Sequence, residues 1–322
     1  MGDERTKALI LGAAGVLGSS LVDRLVEKGI DVRAMDICRI DEAWRLAENK
    51  PLIDYRWKAS SDIAKPDLDG VNVVFDAGIG VADRPLGNAS PEYTTIVNVM
   101  PAIRLLEAVR LLPKARRPTL IYPSSFNALY GHPYGSKYVP SMLPNPSSVY
   151  GWTKASVELL YSTYRRAYGL PTIICRVGSG YGPKMRSDEL PARLILSVLS
   201  KKGMVVRSPD ARRLWTYVGD IIDFYGRLVE HLDDYTGQTI HCAGNVGNET
   251  VTNMHLARMV MDLSGQSVVM KRGGYEAGEL IDGKPISFEV GGDSPIWRPR
   301  HTLSQGLTKT LSWFKKNRWR YE

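Results

Sequence analysis

At 322 residues, 43% hydrophobic and 24% charged, the chain has material for one large core or two interleaved ones and the composition of a water-soluble protein. Its apolar runs are too short to span a bilayer, and Met1–Arg5 leads directly into a strand pattern, so no membrane segment and no secretory or transit leader is expected. The formal net charge of +8 is dispersed, with its densest cluster in the terminal WFKKNRWRYE; this reads as a solvated helix end, not a nucleic-acid surface, and a positive field equally suits a phosphorylated small molecule.

In chain order, Lys7–Leu11 reads as a first strand, followed by a helix from near Gly15 to Lys28. Further strands are expected around Val32–Met35, Val71–Phe75, Leu120–Tyr122 and Pro171–Arg176. Between them lie the helices Pro91–Leu112, with apolar spacing at Ile96, Val99, Ile103, Leu105 and Leu106, and Ser147–Tyr168. This alternation predicts a doubly wound α/β domain, a parallel sheet covered on both faces, over residues 1–176. Beyond Arg176 the pattern loosens: a glycine-rich loop Gly178–Pro183, an amphipathic helix Pro191–Lys202, a short strand Trp215–Val218 and a helix Thr252–Ser264. A smaller, discontinuous α/β lobe is expected from 177–212 and 248–322, with 213–247 returning to the first domain, and a cleft between the two suits a ligand. Cys38, Cys175 and Cys242 are too few and too scattered for a disulfide framework or a zinc site, and fit a reducing cytoplasm. No metal site is expected.

Where the first strand turns into its helix stands Gly12-x-x-Gly15-x-x-Gly18. Gly12 permits the tight turn, Gly15 lets a pyrophosphate approach, and Gly18 lets the helix pack close to the sheet. Backbone N–H groups of the first turn, including those of Val16 and Leu17, then favour a phosphate there. The reading is a Rossmann-type dinucleotide site. Asp36, followed by Ile37, ends the second strand 18 residues after Gly18; its carboxylate accepts from a ribose 2′-OH and repels a 2′-phosphate, favouring NAD over NADP. Arg33 and Arg39 are read as nearby cations that temper this preference.

The run YPSSFNALYG turns polar at Ser124-Ser125, and Tyr150 and Lys154 follow in SSVYGWTKASVELL, four apart and so on one helix face. A tyrosine is a poor base at neutral pH, and a lysine beside it favours the phenolate.

With these motifs the chain resembles the extended short-chain dehydrogenases/reductases of the NAD-dependent epimerase/dehydratase group, most of which act on nucleotide sugars. The resemblance extends to Asp62-Ile63 at the adenine, to Ala77-Gly78 along the cofactor, to Asn98 in IVNVMPAIRLLEA, and to CRVGSGYGP, RLWTYVGD, IHCAGNVGN and IWRPRHTLSQGL. It implies NAD as cofactor, with Ser124 near the nicotinamide and Lys154 on its ribose. Ser125 would hold the substrate oxygen and Tyr150 would act as the base. It also implies that Asn127 meets a sugar hydroxyl, that Arg213 faces the nucleotide diphosphate, and that Ser179 stands where the family often carries asparagine. Tyr181 and Trp215 are read as lobe packing, with stacking on a base as the alternative. A homodimer through the helices Pro91–Leu112 and Ser147–Tyr168 is expected by resemblance. Dehydratases and decarboxylases of the group carry an acid just after the Ser/Thr; Phe126–Leu129 offers none, so a nucleotide-sugar epimerase is the expected activity. A dehydrogenase, dehydratase or decarboxylase, and a non-catalytic NAD sensor, are the alternatives.

Overall fold

The computed structural model describes residues 6–78, 88–290 and 296–321. The stretch GGDSP before Ile296 and Trp297, which stands where the family resemblance would put a charged helical run, lies outside them. The amino-terminal strands are β1 (Lys7–Leu11), β2 (Asp31–Asp36), β3 (Ile53–Trp57), β4 (Val73–Asp76) and β5 (Thr119–Ser125). After a short β6 (Ser136–Tyr138) come β7 (Thr172–Val177), β8 (Ser179–Tyr181), β9 (Met204–Val206), β10 (Arg212–Tyr217), β11 (Thr239–Cys242) and β12 (Thr250–Thr252). The helices are α1 (Val16–Glu27), α2 (Pro91–Arg110), α3 (Val149–Tyr168), α4 (Leu190–Leu199), α5 (Val218–Leu228), a one-turn α6 (Leu232–Tyr235), α7 (Asn253–Ser264) and α8 (Leu303–Asn317).

Seven strands form one parallel sheet in the order β11-β7-β5-β4-β1-β2-β3. Its central strands, KALIL and VVFD, are apolar almost throughout because helices cover both faces. On one face Leu21, Val22 and Leu25 of α1 pack with Ile221 and Phe224 of α5; on the other Leu105 and Val109 of α2 pack with Val157 and Tyr161 of α3. This is a Rossmann-like α/β fold. The order reverses between β1 and β4, which opens a crevice at the carboxyl ends of the strands.

Several details differ from the sequence reading, among them β11, which none of the expected strands covers. β3 was not expected: IDYRW is an edge strand with alternating exposed residues, so it carries no continuous apolar run. Gly178–Pro183 is not all loop, since Ser179–Tyr181 pairs in parallel with Trp215–Tyr217. Ile96 lies outside the buried face of α2, which runs through Thr94, Asn98, Ala102, Leu105, Leu106 and Val109; Ile96 itself is exposed.

β12, β10 and β8 make a separate three-stranded sheet, and a further core gathers Leu194, Ile195, Leu256, Val260, Leu307 and Phe314 from α4, α7 and α8. Asp220 of α5 ties that helix to the segment before α8: it accepts from the backbone N–H groups of Arg300 and His301 and meets His301 Nδ1 at 2.8 Å. No helix among the described residues is long and apolar enough to cross a membrane.

Candidate active site

Gly12 has φ +72°, and a Cβ on it would lie 2.7 Å from Gly78 Cα; a Cβ on Gly18 would lie 2.1 Å from Gly12 O. The turn, the helix start and the end of β4 therefore touch backbone to backbone, which only glycines allow. Gly15 caps α1 without any side-chain bond, and the first turn holds no acidic residue. The N–H groups of Val16, Leu17 and Gly18 thus face an environment fit for an anion. Asp36 accepts from Ala14 N at 2.8 Å and Cys38 N at 2.9 Å, tying the glycine turn to the end of β2. Ile37 is exposed, Ile63 buried and Asp62 exposed at the neighbouring rim.

Of the two cations read from the sequence, one stands near this carboxylate and the other does not. Arg39 does sit here, stacked 5.1 Å over Trp57. Arg33 is buried and bound to Asp54 and to the carbonyl of Asp67. Three positions apart on a strand, Arg33 and Asp36 point to opposite faces, so Arg33 does not bear on the ribose.

On the other side of the switch point, β5 ends at Ser124-Ser125. Ser124 Oγ is buried with no hydrogen-bond partner among the described residues, an orphaned hydroxyl at the place expected for the nicotinamide. Together with the glycine cradle it fits a dinucleotide. Ser125 Oγ accepts from Asn127 N and Asn127 Nδ2, both at 3.2 Å. Its lone pairs are thereby engaged, and its O–H is left to donate. α3 begins with Ser148 capping Gly151 N, and a Cβ on Gly151 would lie 2.3 Å from Asn127 O. That close approach presses the first turn of α3, with half-buried Tyr150, onto the Ser125–Ala128 turn.

Lys154, one turn further, is buried; its Nζ donates to Pro123 O at 2.8 Å and lies 4.8 Å over the Tyr122 ring. Burial lowers its ammonium to about 8, against the opposing pull of Asp76 and Glu158. Sequence reasoning passed over Asp76, the last residue of β4. It is buried and accepts from Tyr161 Oη at 2.7 Å. Burial raises it to about 6, with the Tyr161 hydrogen bond and the Lys154 charge working the other way. The only signal was a carboxylate closing an apolar strand. Glu158, four residues after Lys154, pairs with Arg176 at 2.8 Å, both side chains nearly inaccessible. Asn98 lies inside α2, and its Nδ2 donates to Thr153 Oγ1 of α3 at 3.2 Å.

The substrate-side residues are more dispersed. Asn127 stays at the Ser125 turn. Ser179 opens β8, paired with Trp215 of β10. Arg213, on β10, is largely buried and held by Glu279, with Tyr130 also bonding it. Burial works against its charge, but Glu279 and Tyr130 outweigh that and drive the guanidinium above its ordinary value. Tyr181 and Trp215 are buried in the lobe core, Tyr181 Oη donating to Leu303 O at 3.1 Å, so neither ring is available for stacking on a base. Among the described residues no cluster of three His, Cys, Asp or Glu side chains could hold a metal ion.

The pattern of the NAD dependent epimerase/dehydratase family matches residues 8–243. The dTDP-glucose 4,6-dehydratase of Neisseria gonorrhoeae is 25% identical over 346 aligned residues, covering 97% of this chain and 96% of that protein. The dTDP-glucose 4,6-dehydratase of Mycolicibacterium smegmatis is 27% identical, covering 97% and 94%. Among solved structures, dTDP-glucose 4,6-dehydratase from Streptomyces venezuelae superposes with a TM-score of 0.85 at 20% identity, over 98% of this chain and 99% of that one. UDP-glucuronic acid 4-epimerase from Bacillus cereus gives 0.84 at 23% identity, over 97% and 100%. Both were crystallised with NAD. With its glycine turn at the switch point, its strand-end serines and its Tyr150–Lys154 helix, this chain belongs to the NAD-dependent epimerase/dehydratase family, and NAD is its cofactor.

Proposed function

We propose that this enzyme is a nucleotide-sugar epimerase working through a transient keto-sugar. The observation that carries the reading is a Ser125, Tyr150 and Lys154 set beside a turn, Phe126–Leu129, that holds no carboxylate. Gly12, Gly15, Val16, Leu17 and Gly18 would hold the pyrophosphate, and Asp36 and Ile37 the adenosine ribose. Asp62, Ile63, Ala77 and Gly78 would line the adenine side, with Ser124 and Lys154 at the nicotinamide end. NAD supplies the acceptor of the substrate's hydride and gives the hydride back.

Tyr150 as phenolate takes the proton of the sugar hydroxyl while Ser125 donates to the same oxygen and Lys154 keeps the tyrosine ionised. When the keto-sugar presents its other face, Tyr150 returns the proton and the inverted alcohol leaves. Asn127, Ser179 and Arg213 are proposed to orient the sugar and its phosphates. A dehydratase would also have to protonate a departing hydroxyl, and the Ser125 turn has no acid for it. The dehydratase names of the curated relatives support that second reading.

The test is product analysis by mass and NMR after incubation with UDP-, GDP- and dTDP-sugars. A product of unchanged mass, lost in Tyr150→Phe, is the expected result; loss of water would replace the epimerase reading with the dehydratase one. We propose further that residues 177–212 and 248–322 form the substrate lobe and that the chain pairs with a second copy through α2 and α3, where Tyr93, Ile96, Met100, Trp152 and Leu159 are exposed. A cytoplasmic location is proposed from the three unbridged cysteines.

A further inference from the structure

We propose that Asp76 is a positioning residue for the catalytic pair, holding Lys154 as a cation beneath Tyr150. The proposal rests on the Tyr150–Lys154 reading above and extends it.

A buried carboxylate is costly unless paired and hydrogen-bonded. Asp76 accepts a hydrogen bond from Tyr161 Oη at 2.7 Å, and it acts electrostatically on Lys154. Lys154 and Tyr161 are seven apart on α3 and so share one face. Tyr122 of β5 completes the compartment: its ring lies 5.1 Å from that of Tyr161 and 4.8 Å below Lys154 Nζ. Among the described residues the charged groups acting on the ammonium are Asp76 from β4 and Glu158 from α3, with the Tyr122 ring of β5 beneath it, Tyr161 of α3 bound to Asp76, Tyr150 one turn earlier on α3, and Arg176 of β7 behind Glu158. Two of these are carboxylates. Glu158 already receives three hydrogen bonds from Arg176. Asp76 is left as the anion not balanced by a guanidinium, so it decides how readily Lys154 keeps its proton.

The sign follows from the pair. Between about 6, where Asp76 ionises, and about 8, where Lys154 loses its proton, both charges are present. Removing the Asp76 charge lets Lys154 deprotonate at lower pH, and Tyr150 then loses the cation that favours its phenolate. Asp76→Asn is a suitable perturbation because the amide oxygen still accepts from Tyr161.

The experiment is a phenolate titration by ultraviolet absorbance on the NAD-loaded protein, with Tyr150→Phe subtracted to isolate Tyr150. In Asp76→Asn the Tyr150 titration is expected to move up by about one pH unit, and the alkaline limb of turnover to move down. In a Lys154→Met background the same Asp76→Asn change is expected to move nothing. Thermal melting of each variant shows whether it has folded, and Tyr161→Phe, which removes the hydrogen bond that helps Asp76 ionise, is a second variant expected to move the Tyr150 titration in the same direction. An unmoved Tyr150 titration in folded Asp76→Asn overturns the proposal and leaves the Tyr150–Lys154 reading standing. If Lys154→Met itself leaves Tyr150 unmoved, the underlying reading falls and the proposal with it.

Discussion

Removing one partner of the Arg176–Glu158 pair tests how α3 is fixed to the sheet. Arg176 Nε reaches both Glu158 oxygens at 3.0 and 3.2 Å, Nη2 reaches Oε2 at 2.8 Å, and Nη1 donates to Pro140 O at 3.0 Å and Met142 O at 2.9 Å. The side chains are 4% and 5% exposed. One guanidinium thus joins the end of β7, the middle of α3 and the loop before it. Glu158→Gln keeps the shape and an acceptor but strands a buried cation, and breaking such a pair costs about 3–5 kcal/mol; the amide puts the expectation near the lower end. At roughly 2–4 °C per kcal/mol for a chain somewhat smaller than this one, Tm falls by roughly 10 °C. The double variant Glu158→Leu with Arg176→Met removes both charges together, and replacing a buried pair by apolar side chains is often nearly neutral. It still leaves the Pro140 and Met142 carbonyls without their donor, at about 1–3 kcal/mol each if they stay buried; Arg176→Met alone bears that cost as well as a stranded Glu158, so the double variant should be more stable than Arg176→Met. Urea unfolding followed by near-ultraviolet circular dichroism, run as a double-mutant cycle with Glu158→Leu and Arg176→Met as its single variants, should return a coupling of about 3 kcal/mol. Additivity within about 0.5 kcal/mol would refute the reasoning, because it would mean that the two side chains do not depend on one another.

Gly18→Ala places a Cβ 2.1 Å from Gly12 O, so helix or turn must move; NAD affinity measured by fluorescence quenching should fall at least tenfold, and unchanged affinity would reject the cradle. Burial raises Glu189 to about 7, above its ordinary 4.5. The folded state then holds the proton over a range where the unfolded chain has released it, so this group's contribution to stability falls as pH rises from about 4.5 to about 7. Glu189→Gln should accordingly raise Tm more at pH 8 than at pH 5 in paired melting curves, and an equal gain at both would contradict the assignment. Glu279→Gln removes the carboxylate that pairs with Arg213; Tm should drop, while calorimetric Kd for UDP should tighten about tenfold, or roughly 1.4 kcal/mol. Unchanged UDP affinity would show that Arg213 does not face a diphosphate.

How much of this was legible depends on how far apart the interacting residues lie. The glycine turn and the Tyr150–Lys154 face are short-range patterns dictated by helix and strand periods, and β1, β2, β4, β5 and β7 follow from apolar runs. β3 was invisible because its residues are exposed or only partly buried, which leaves no apolar run, and β11 because four residues are too short to stand out. Ile96 fitted an apolar stripe yet is exposed; helical spacing marks an apolar position without saying whether core or another chain covers it. Arg33 was misread because adjacency in sequence was taken for adjacency in space, whereas strand alternation sends it away from Asp36. Asp76 stood in plain view, but its meaning lies in Tyr161, 85 residues later, and no local pattern joins them. The same holds for Arg213 and Glu279, 66 apart. Asp76 acts on Lys154 and Glu279 on Arg213, so each sets a carboxylate against a cation that the proposed chemistry uses, one beside the tyrosine and one on the substrate side. The sequence could name the cations from their motifs; only the fold shows which anions hold them, and it is those anions that tune what the cations can do.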